Sequence, residues 1–191
     1  MKTKFIAKKI AYDGTQLSPL YAYKNHRTAG SSIVSFIGSC TVSFEHMVDA
    51  EDLVAAAKIE GDLMLHFIIE LFHQDLMTAV SLQRLLVSMA QNILNANSLR
   101  LRKKPLVRQG DDLYFIKGKK KQKLSISIAS CSAVSAMIHF AVNITNNGTP
   151  VATCSLEDFK VKPSNFAKDL MQKFSDEYVS IVEATEKVKP L

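Results

Sequence analysis

Two long segments repeat their apolar residues at intervals of three and four positions. The first covers residues 74–95, and the second follows Ser164, a residue type that caps helices. This spacing places apolar side chains along one face of a helix. In the second segment that face consists of Phe166, Leu170, Phe174, Tyr178, Ile181 and Val182. The pattern predicts two long amphipathic helices. Asp49, followed by further acidic residues, predicts the start of a short helix that ends near Gly61.

Four other segments are apolar without helical spacing. β-branched and aromatic residues are frequent in them, which is typical of strands. These segments are residues 4–12, 30–44, 62–72 and 134–144. The continuous apolar run of residues 62–72 fits a buried helix as well as a strand, and we interpret it as a strand. Gly38 predicts a bulge within its strand.

A polar segment separates two further short apolar runs, residues 113–116 and 124–129. Seven polar residues that include one glycine, residues 117–123, join these runs, so the pattern predicts an antiparallel hairpin. Gly110, Asp111 and Asp112 lead into the first strand, and Lys123 stands at the start of the second. Candidate chemistry therefore lies at the two ends of the predicted hairpin.

The order of these elements predicts an α+β fold, with a mixed, mainly antiparallel sheet and helices packed against it. The chain has 191 residues, of which 47% are hydrophobic and 22% charged, enough for a globular domain with a full core. We expect a single domain over residues 1–191. Residues 1–73 would contain irregular segments and strands, and residues 74–191 the long helix, the hairpin, further strands and the C-terminal helix.

The positive charge is concentrated around the predicted hairpin. Between Arg100 and Lys123 there are three arginines and seven lysines against two aspartates, while the whole chain has a net charge of +6. Such a basic patch attracts the phosphates of a nucleotide, an acyl carrier or nucleic acid, or it keeps an exposed turn soluble. Nucleic acid ranks lower, because Tyr114 and Phe115 are the only rings in the patch that bases can stack on.

The sequence lacks the signals of secreted and membrane proteins. Its apolar runs are shorter than the roughly 20 residues that cross a bilayer, and its N-terminus has no cleavable signal pattern. Cys40, Cys131 and Cys154 are widely spaced and form no disulfide or metal motif, so we expect buried, reduced thiols. We therefore expect a cytoplasmic protein without a membrane partner. A homodimer is compatible with the sequence.

Several side chains can carry chemistry, and each also has a structural interpretation. Lys123 can place a positive charge against a phosphate or a carbonyl, or it is a solvated hairpin lysine. Asp112 can hold that ammonium or a ribose hydroxyl, or it belongs to an ordinary turn. His66 and His139 lie in apolar strands, where a histidine bonded to the backbone is common. The sequence contains no metal-ligand spacing, nucleophile elbow, Walker loop or dinucleotide motif.

From residue 74 onward, the order of motifs resembles that of biotin and lipoate protein ligases. A long helix containing Ala79-Val-Ser-Leu precedes Arg108-Gln-Gly-Asp-Asp-Leu-Tyr-Phe, and after a basic turn Gln122-Lys-Leu-Ser-Ile-Ser opens the next strand. A later strand ends in Phe140-Ala-Val-Asn-Ile, which is similar to an asparagine motif of the biotin ligases. Ala29-Gly-Ser-Ser is the nearest counterpart of the family's glycine- and arginine-rich segment, but it has one glycine and no arginine pair.

The resemblance implies a fold of the biotin/lipoate ligase and class II synthetase type. It implies that Lys123 is the catalytic residue, while the absence of metal-ligand spacing leads us to expect no metal-binding residue. The ligand-binding residues that follow from it are Gly30, His66, Arg108, Asp111, Asp112 and Asn143. Over the whole chain, segments such as Tyr12-Asp-Gly-Thr-Gln-Leu-Ser-Pro-Leu-Tyr and Leu156-Glu-Asp-Phe are similar to the domain-of-unknown-function 366 family, whose name supplies no activity.

Three functions are consistent with these observations. The first is acyl or adenylyl transfer on a small carboxylic acid or nucleotide, with ATP or another nucleotide as the candidate cofactor. The second is a non-catalytic module that binds a small molecule or nucleotide on the same fold, and the third is nucleic-acid binding through residues 100–123. If the first is correct, Lys123, Asn143 and either Arg108 or Asp112 should approach one concave site, together with Gly30 or His66.

Overall fold

The structure, a computed structural model, describes residues 1–189. The strands are β1 Lys2–Ile6, β2 Ser32–Val42, β3 Ile59–Phe72, β4 Val107–Gln109, β5 Asp112–Lys117, β6 Lys120–Lys123, β7 Ser125–Cys131 and β8 Ser135–Asn143. The helices are α1 Tyr21–His26, α2 Ala50–Val54, α3 Leu76–Asn97, α4 Leu99–Lys103 and α5 Pro163–Glu186, and Phe44–His46 form a 3-10 turn.

Five of the strands form the main sheet, in the order β1-β2-β3-β8-β7. β1 runs parallel to β2, and the other neighbouring strands are antiparallel. β4, β5 and β6 form a separate, small antiparallel sheet. The predicted α+β class with a mixed, mainly antiparallel sheet is therefore confirmed. The ambiguous residues 62–72 are a strand, as we expected, and lie within β3.

Gly38 lies at an irregularity in β2, where the pairing with β3 shifts between Gly38 and Cys40. A Cβ at this position would overlap with the carbonyl group of Ile10. The chain that follows β1 passes close to β2 here, and Ile10 N donates to Ile37 O at 3.0 Å. The predicted bulge is confirmed, and the glycine lets the N-terminal segment lie directly against the strand.

One face of the main sheet is covered by α3 and α5. Alternate residues of β3 and β8 point to this face, because side chains alternate between the two faces of a strand. These residues are apolar and fully buried: Leu65, Phe67, Ile69, Leu71, Ile138, Phe140 and Val142. The rings of Phe67 and Phe140 stack with centroids 5.8 Å apart, and Phe166 of α5 meets Phe67 edge-on at 6.1 Å. This layer is the main hydrophobic core.

The predicted helices α2 and α3 are present, and each is preceded by an aspartate cap. Asp75 precedes α3, and its carboxylate accepts a hydrogen bond from Thr78 N at 2.7 Å. Asp49 precedes α2 and accepts hydrogen bonds from the backbone of its first turn, as expected. However, α2 ends at Val54, well before the predicted end near Gly61, where the chain is already part of β3.

The C-terminal helix, α5, begins differently from our prediction. Its cap position is Lys162, so the expected cap at Ser164 is wrong. Pro163 opens the helix, where its fixed φ is suitable and its missing N–H leaves no unpaired donor. The predicted apolar face is confirmed. Its buried residues include Phe166, Leu170, Phe174 and Tyr178.

The predicted hairpin between residues 113–116 and 124–129 is wrong. β5 pairs instead with β6, across a tight turn in which Gly118 has a φ of 61°. The lysine-rich run that we expected to be a turn forms this edge strand, because exposed lysines are compatible with a strand whose outer side is solvated. Residues 125–131 form β7, which leaves the small sheet and joins the main sheet beside β8.

Within residues 1–189, no helix has the length and apolar content needed to cross a membrane. The three cysteines are free thiols, and Cys40 and Cys154 are buried as expected. The expectation of burial is wrong for Cys131, which is exposed. It is the last residue of β7, an edge strand of the main sheet, and therefore lies at the margin of the core.

Candidate functional site

The second face of the main sheet holds a cavity of about 410 Å³. The floor side chains come from the three adjacent strands β3, β8 and β7: Met64, His139, Asn143, Ile126 and Ile128. The walls come from the N-terminal loop, from residues 46–60 around α2, from the small sheet and from residues 149–153. A concave site with an apolar lining and a few polar groups is the usual form of a small-molecule site.

Lys123 lies at the rim of this cavity, at the end of β6. Its ammonium forms an ion pair with Asp112, with 2.9 Å between Nζ and Oδ2. The same carboxylate accepts the Tyr114 hydroxyl at 2.9 Å. The side chains of Lys123 and Asp112 are 31% and 20% exposed, so solvent screens the pair only in part. Lys123 therefore has a counter-ion within the protein.

Asn143 is buried beside Lys123, at the end of β8. Its Nδ2 donates to the carbonyl oxygens of Lys123 and Cys154, both at 3.3 Å. Its backbone N–H donates to Leu124 O at 3.0 Å. These bonds fix the point where the chain passes from the small sheet to the main sheet. Asn143 thereby positions the backbone of Lys123.

Gly110 and Asp111 lie in the turn between β4 and β5, where the small sheet contacts α3. The Asp111 carboxylate accepts from Gln83 Nε2 at 3.0 Å and pairs with Arg84, with 3.1 Å between Nη1 and Oδ1. Gly110 has a φ of 62°, and a Cβ there would collide with the Arg84 guanidinium. This turn therefore needs glycine for its backbone, and any other residue would also displace the Arg84 side chain. Asp111 also lines the cavity.

His66 and His139 form a buried pair at the cavity floor. The Nδ1 of His66 lies 3.1 Å from the Nε2 of His139, and the Nε2 of His66 lies 3.4 Å from the carbonyl oxygen of Gly38. Tyr12 stacks on His139, with ring centroids 3.8 Å apart. Burial lowers the pKa of His66 to about 4. Burial, followed by repulsion from His66, lowers the pKa of His139 well below its usual value. Both imidazoles are therefore neutral near pH 7.

Carboxylates dominate the charged groups that line the cavity. They are Asp49, Glu51, Asp52, Glu60, Asp111 and Asp112, whereas the lining lysines are Lys58 and Lys123. Burial raises the pKa of Asp52, and repulsion from Asp49 and Asp112 adds to this effect while Lys123 opposes it. Asp52 therefore interacts with charges of both the α2 wall and the small sheet. Among residues 1–189, no cluster of three or more His, Cys, Asp or Glu side chains has the arrangement to hold a metal ion.

The cavity brings together four of the site residues that we expected from the sequence. Lys123, Asp111, Asp112 and Asn143 all line it. His66 does not line it, but lies behind the floor and is hydrogen-bonded to His139, which does.

Arg108 and Gly30 are exposed and lie outside the lining of the cavity. Arg108 is in β4, an edge strand of the small sheet, and its guanidinium donates to Gly110 O at 2.6 Å. Gly30 precedes Ser32, which pairs with Glu70 near the end of β3 that is distant from Met64. Neither residue therefore lines the cavity beside Lys123: Gly30 lies near the distant end of the main sheet, and Arg108 lies two strands from Lys123 in the small sheet.

The basic patch is partly engaged in contacts within the protein. The Arg100 guanidinium lies 4.9 Å from the centroid of the Phe115 ring, and the Lys104 ammonium lies 5.7 Å from the same ring. The Lys121 ammonium lies 3.6 Å from the centroid of the Tyr114 ring. The two aromatic residues that we considered for base stacking thus already carry cations on their rings.

Two parts of the cavity were not predicted from the sequence: Tyr12, and the acidic wall that Asp49, Glu51 and Asp52 form. The wall had a signal in the cluster Asp49, Glu51 and Asp52, which we interpreted only as a helix start. Tyr12 had no local signal, because its contact with His139 is made between distant parts of the chain.

Solved structures of ligases define the class of fold. A mutant of the biotin protein ligase from Aquifex aeolicus, in complex with biotin, matches with a TM-score of 0.58 at 12% identity, covering 96% of this chain and 72% of that chain. A structure of the bi-partite lipoate protein ligase system of Thermoplasma acidophilum matches with a TM-score of 0.52 at 15% identity, covering 92% and 83%. The predicted biotin/lipoate ligase-like fold is confirmed, and at these identities the likeness concerns the fold alone.

The chain belongs to the family called domain of unknown function (DUF366), whose model matches residues 1–189. An uncharacterized protein from Methanocaldococcus jannaschii is 31% identical over 198 residues, covering 100% of this chain and 86% of the relative. A solved structure of a protein of unknown function from Pyrococcus horikoshi is 36% identical, with a TM-score of 0.89, covering 99% of this chain and 98% of that chain. The resemblance that we found in the sequence is thus confirmed for both family and fold.

Proposed function

We propose that this protein is a small-molecule-binding module on the ligase-like fold, and that its ligand occupies the cavity on the second face of the main sheet. The observation that carries this proposal is the convergence of Asp112, Lys123, His139 and Asn143 on one concave site of about 410 Å³. Ligand sites in proteins commonly have volumes of this order and combine an apolar lining with a few polar groups.

The charges around the cavity favour simple binding over adenylyl transfer. Enzymes that act on nucleoside triphosphates surround the phosphates with arginine, lysine or magnesium. In the described part of the chain, no arginine lines this cavity, and the Lys123 ammonium is already paired with Asp112. Six carboxylates line the same cavity and would repel a polyphosphate. A ligand without several phosphates is the better match.

Thermal-shift screening of the purified protein against metabolites and cofactors tests this proposal. A ligand present at about 100 times its Kd adds about 2.7 kcal/mol to stability, which raises Tm by about 5–10 °C. We expect at least one class of compound to produce such a shift.

Two variants place an indole in the cavity and show whether a compound binds there. Ile128→Trp fills the floor, and Val151→Trp narrows the rim from an exposed position that tolerates substitution. Val179→Trp, a partly exposed valine on α5 at the other face of the sheet, is the matched control. Shifts that are lost in both cavity variants and retained in the control support the proposal. If no compound shifts Tm, or if all three variants respond as the parent does, the proposal is wrong.

Acyl or adenylyl transfer through Lys123 is the second candidate. The observation that favours it is the position of Lys123, which is partly exposed at the rim and held by Asn143. In such a reaction Lys123 would leave Asp112 and place its ammonium on the negative charge that develops at a phosphate or a carbonyl.

Pyrophosphate release from ATP in the presence of candidate carboxylic acids tests this second function. Turnover that disappears in Lys123→Ala and is partly restored in Lys123→Arg would support it. Absence of release with every acid, or release that is unchanged in Lys123→Ala, would remove it.

A further inference from the structure

Two buried side chains of the cavity have polar atoms without a partner in the protein. Tyr12 is 4% exposed and His139 is 3% exposed, and both line the cavity. Over residues 1–189, neither the Tyr12 hydroxyl nor the Nδ1 of His139 makes a hydrogen bond within the protein, and neither is fully enclosed as the hydroxyls of Ser32 and Ser35 are. Because both residues line the cavity, these two atoms are available for hydrogen bonds with a ligand.

The hydrogen bonds behind the floor make the Nδ1 of His139 an acceptor. The Nε2 of His66 faces the carbonyl oxygen of Gly38, which can only accept, so this nitrogen carries the hydrogen. Because His66 is neutral, its Nδ1 has no hydrogen and accepts from the Nε2 of His139. His139 is also neutral, so no hydrogen remains for its Nδ1. The floor therefore presents a lone pair that can accept a hydrogen bond from a ligand.

The walls of the cavity add further acceptors and a negative charge. Of the six lining carboxylates, Asp111 and Asp112 are paired with cations of the protein. The other four form no ion pair within residues 1–189; they are Asp49, Glu51, Asp52 and Glu60. Against them the lining has one further cation, Lys58. Concave sites with an excess of one charge concentrate ligands of the opposite charge.

The apolar part of the floor is suited to an organic cation rather than to a metal ion. Ile126, Ile128 and Met64 offer apolar surface and no strong metal ligand. No group of three or more metal-binding side chains occurs in the part of the chain that the structure describes. Hydrocarbon packed on these side chains, together with the Tyr12 ring, would be removed from water and would contribute to binding.

We propose that the ligand of this cavity is a small organic ammonium compound that carries a second hydrogen-bond donor. The inference rests on the proposed function and narrows it to a class of ligand. The ammonium is held by Glu51, Asp52 and Glu60, whose carboxylates form no ion pair in the described part of the chain, the hydrocarbon lies on Ile126 and Ile128, and the second donor bonds to the Nδ1 of His139. Anionic ligands are excluded by the same carboxylates.

Matched compounds with a common carbon skeleton test the ligand class. Hexylamine, aminohexanol, hexanediol and hexanoate form one set, and phenethylamine, tyramine and phenylpropanoate form another. Binding to the intact protein is measured by calorimetry and by ligand-observed NMR. We expect aminohexanol and tyramine to bind about tenfold tighter than the amines without a second donor, the gain expected of one added hydrogen bond. We expect no measurable binding of the two carboxylates.

Two variants and a control assign the contacts. Asp52→Asn should weaken every amine several-fold, whereas Glu177→Gln, which removes a carboxylate from the exposed side of α5, should change nothing. His139→Phe should abolish the advantage of aminohexanol over hexylamine and leave hexylamine itself nearly unchanged. Equal loss in Asp52→Asn and Glu177→Gln would show nonspecific attraction and overturn the inference.

The outcomes separate this inference from the proposed function. If the carboxylates or the diol bind better than the amines, and Ile128→Trp abolishes that binding, the ammonium ligand is wrong while the binding module stands. If no compound in either set binds and the wider thermal-shift screen is also negative, both are wrong. If an anion from the wider screen binds in the cavity, the ammonium ligand is again wrong.

Discussion

The two faces of the main sheet differ in chemistry although the same strands supply both. On the face covered by α3 and α5, β3 and β8 present apolar side chains such as Phe67 and Phe140. On the cavity face the same two strands present His66, His139 and Asn143. All five residues are buried, but those of the second face have hydrogen-bonding groups, and the Nδ1 of His139 has no partner in the described part of the protein.

This difference shows why the polar residues that face a cavity are difficult to recognise within an apolar segment of sequence. A strand that is covered on both faces is nearly continuous in hydrophobic residues, so alternation is weak and the polar residues look like exceptions. Their meaning depends on which face they occupy. Because the period of a strand is two, residues 66 and 67 lie on opposite faces, one in the site and one in the core.

The largest expected effect concerns the helix-covered face. Phe140→Ala removes a fully buried ring that stacks beside Phe67 on the face covered by α3 and α5, and it should lower the free energy of unfolding by about 3–5 kcal/mol. Val151→Ala, at the exposed rim of the cavity, should change it by less than about 0.5 kcal/mol. Urea unfolding followed by circular dichroism measures both. Similar losses in the two variants would contradict the contrast between the faces.

The second prediction concerns the pH dependence of stability that arises from the histidines of the cavity face. Burial lowers the pKa of His66 from 6.5 in the unfolded chain to about 4 in the folded protein. Between these values the unfolded state binds more protons, so stability is full above pH 6.5 and falls as the pH decreases. From near pH 7 to near pH 5 we expect a loss of about 2 kcal/mol from His66.

Urea midpoints across this pH range check the prediction. His66→Phe should reduce the dependence without abolishing it, because burial also lowers the pKa of His139 and of His26, which this variant retains. His73→Asn, at an exposed histidine with a positive φ that asparagine tolerates, should leave it unchanged. The carboxyl groups of Asp13 and Asp75, whose pKa values are lowered by hydrogen bonds, lose their contribution at more acidic pH. An unchanged slope in His66→Phe would mean that His66 does not contribute to the acid sensitivity.

The third prediction separates stability from binding at the rim. Lys123→Ala removes a partly exposed ion pair and should cost less than about 1 kcal/mol of stability. It also frees the Asp112 carboxylate, so an ammonium ligand such as aminohexanol should bind several-fold tighter, and Asp112→Asn should have the opposite effect. Calorimetry measures both variants. Weaker amine binding in Lys123→Ala would contradict the assignment of charges in the cavity.

The smallest expected effect concerns the small sheet. Replacement of Lys119, Lys120 and Lys121 by alanine should change stability by less than about 0.5 kcal/mol, because all three are exposed. If the basic patch binds nucleic acid, affinity for a mixed oligonucleotide falls as salt rises and is reduced in this triple variant. Fluorescence anisotropy measures it. Affinity that is millimolar at low salt, or insensitive to salt, would exclude nucleic-acid binding through the patch.

The sequence by itself determined the local elements of this protein. α3, the start of α2 at Asp49 and the bulge at Gly38 follow from residue types within a few positions of each other. The motif order from residue 74 onward also indicated the ligase-like fold. Such features depend on helical periodicity, capping and glycine, which act over one or two turns of chain and are therefore visible in the sequence.

The tertiary structure alone decided the strand partners and the composition of the site. The lysine-rich run pairs with β5, which places Lys123 opposite Tyr114 and within reach of Asp112, and β7 pairs with β8 instead. Tertiary structure likewise leaves Gly30 and Arg108 outside the lining of the cavity and stacks the Tyr12 ring on His139. Strand pairing is a contact between distant segments whose energy depends on side chains from both, so no local pattern specifies it. The acidic wall was not predictable for the same reason: the sequence reveals the carboxylates at the start of α2, but not the cavity that they face.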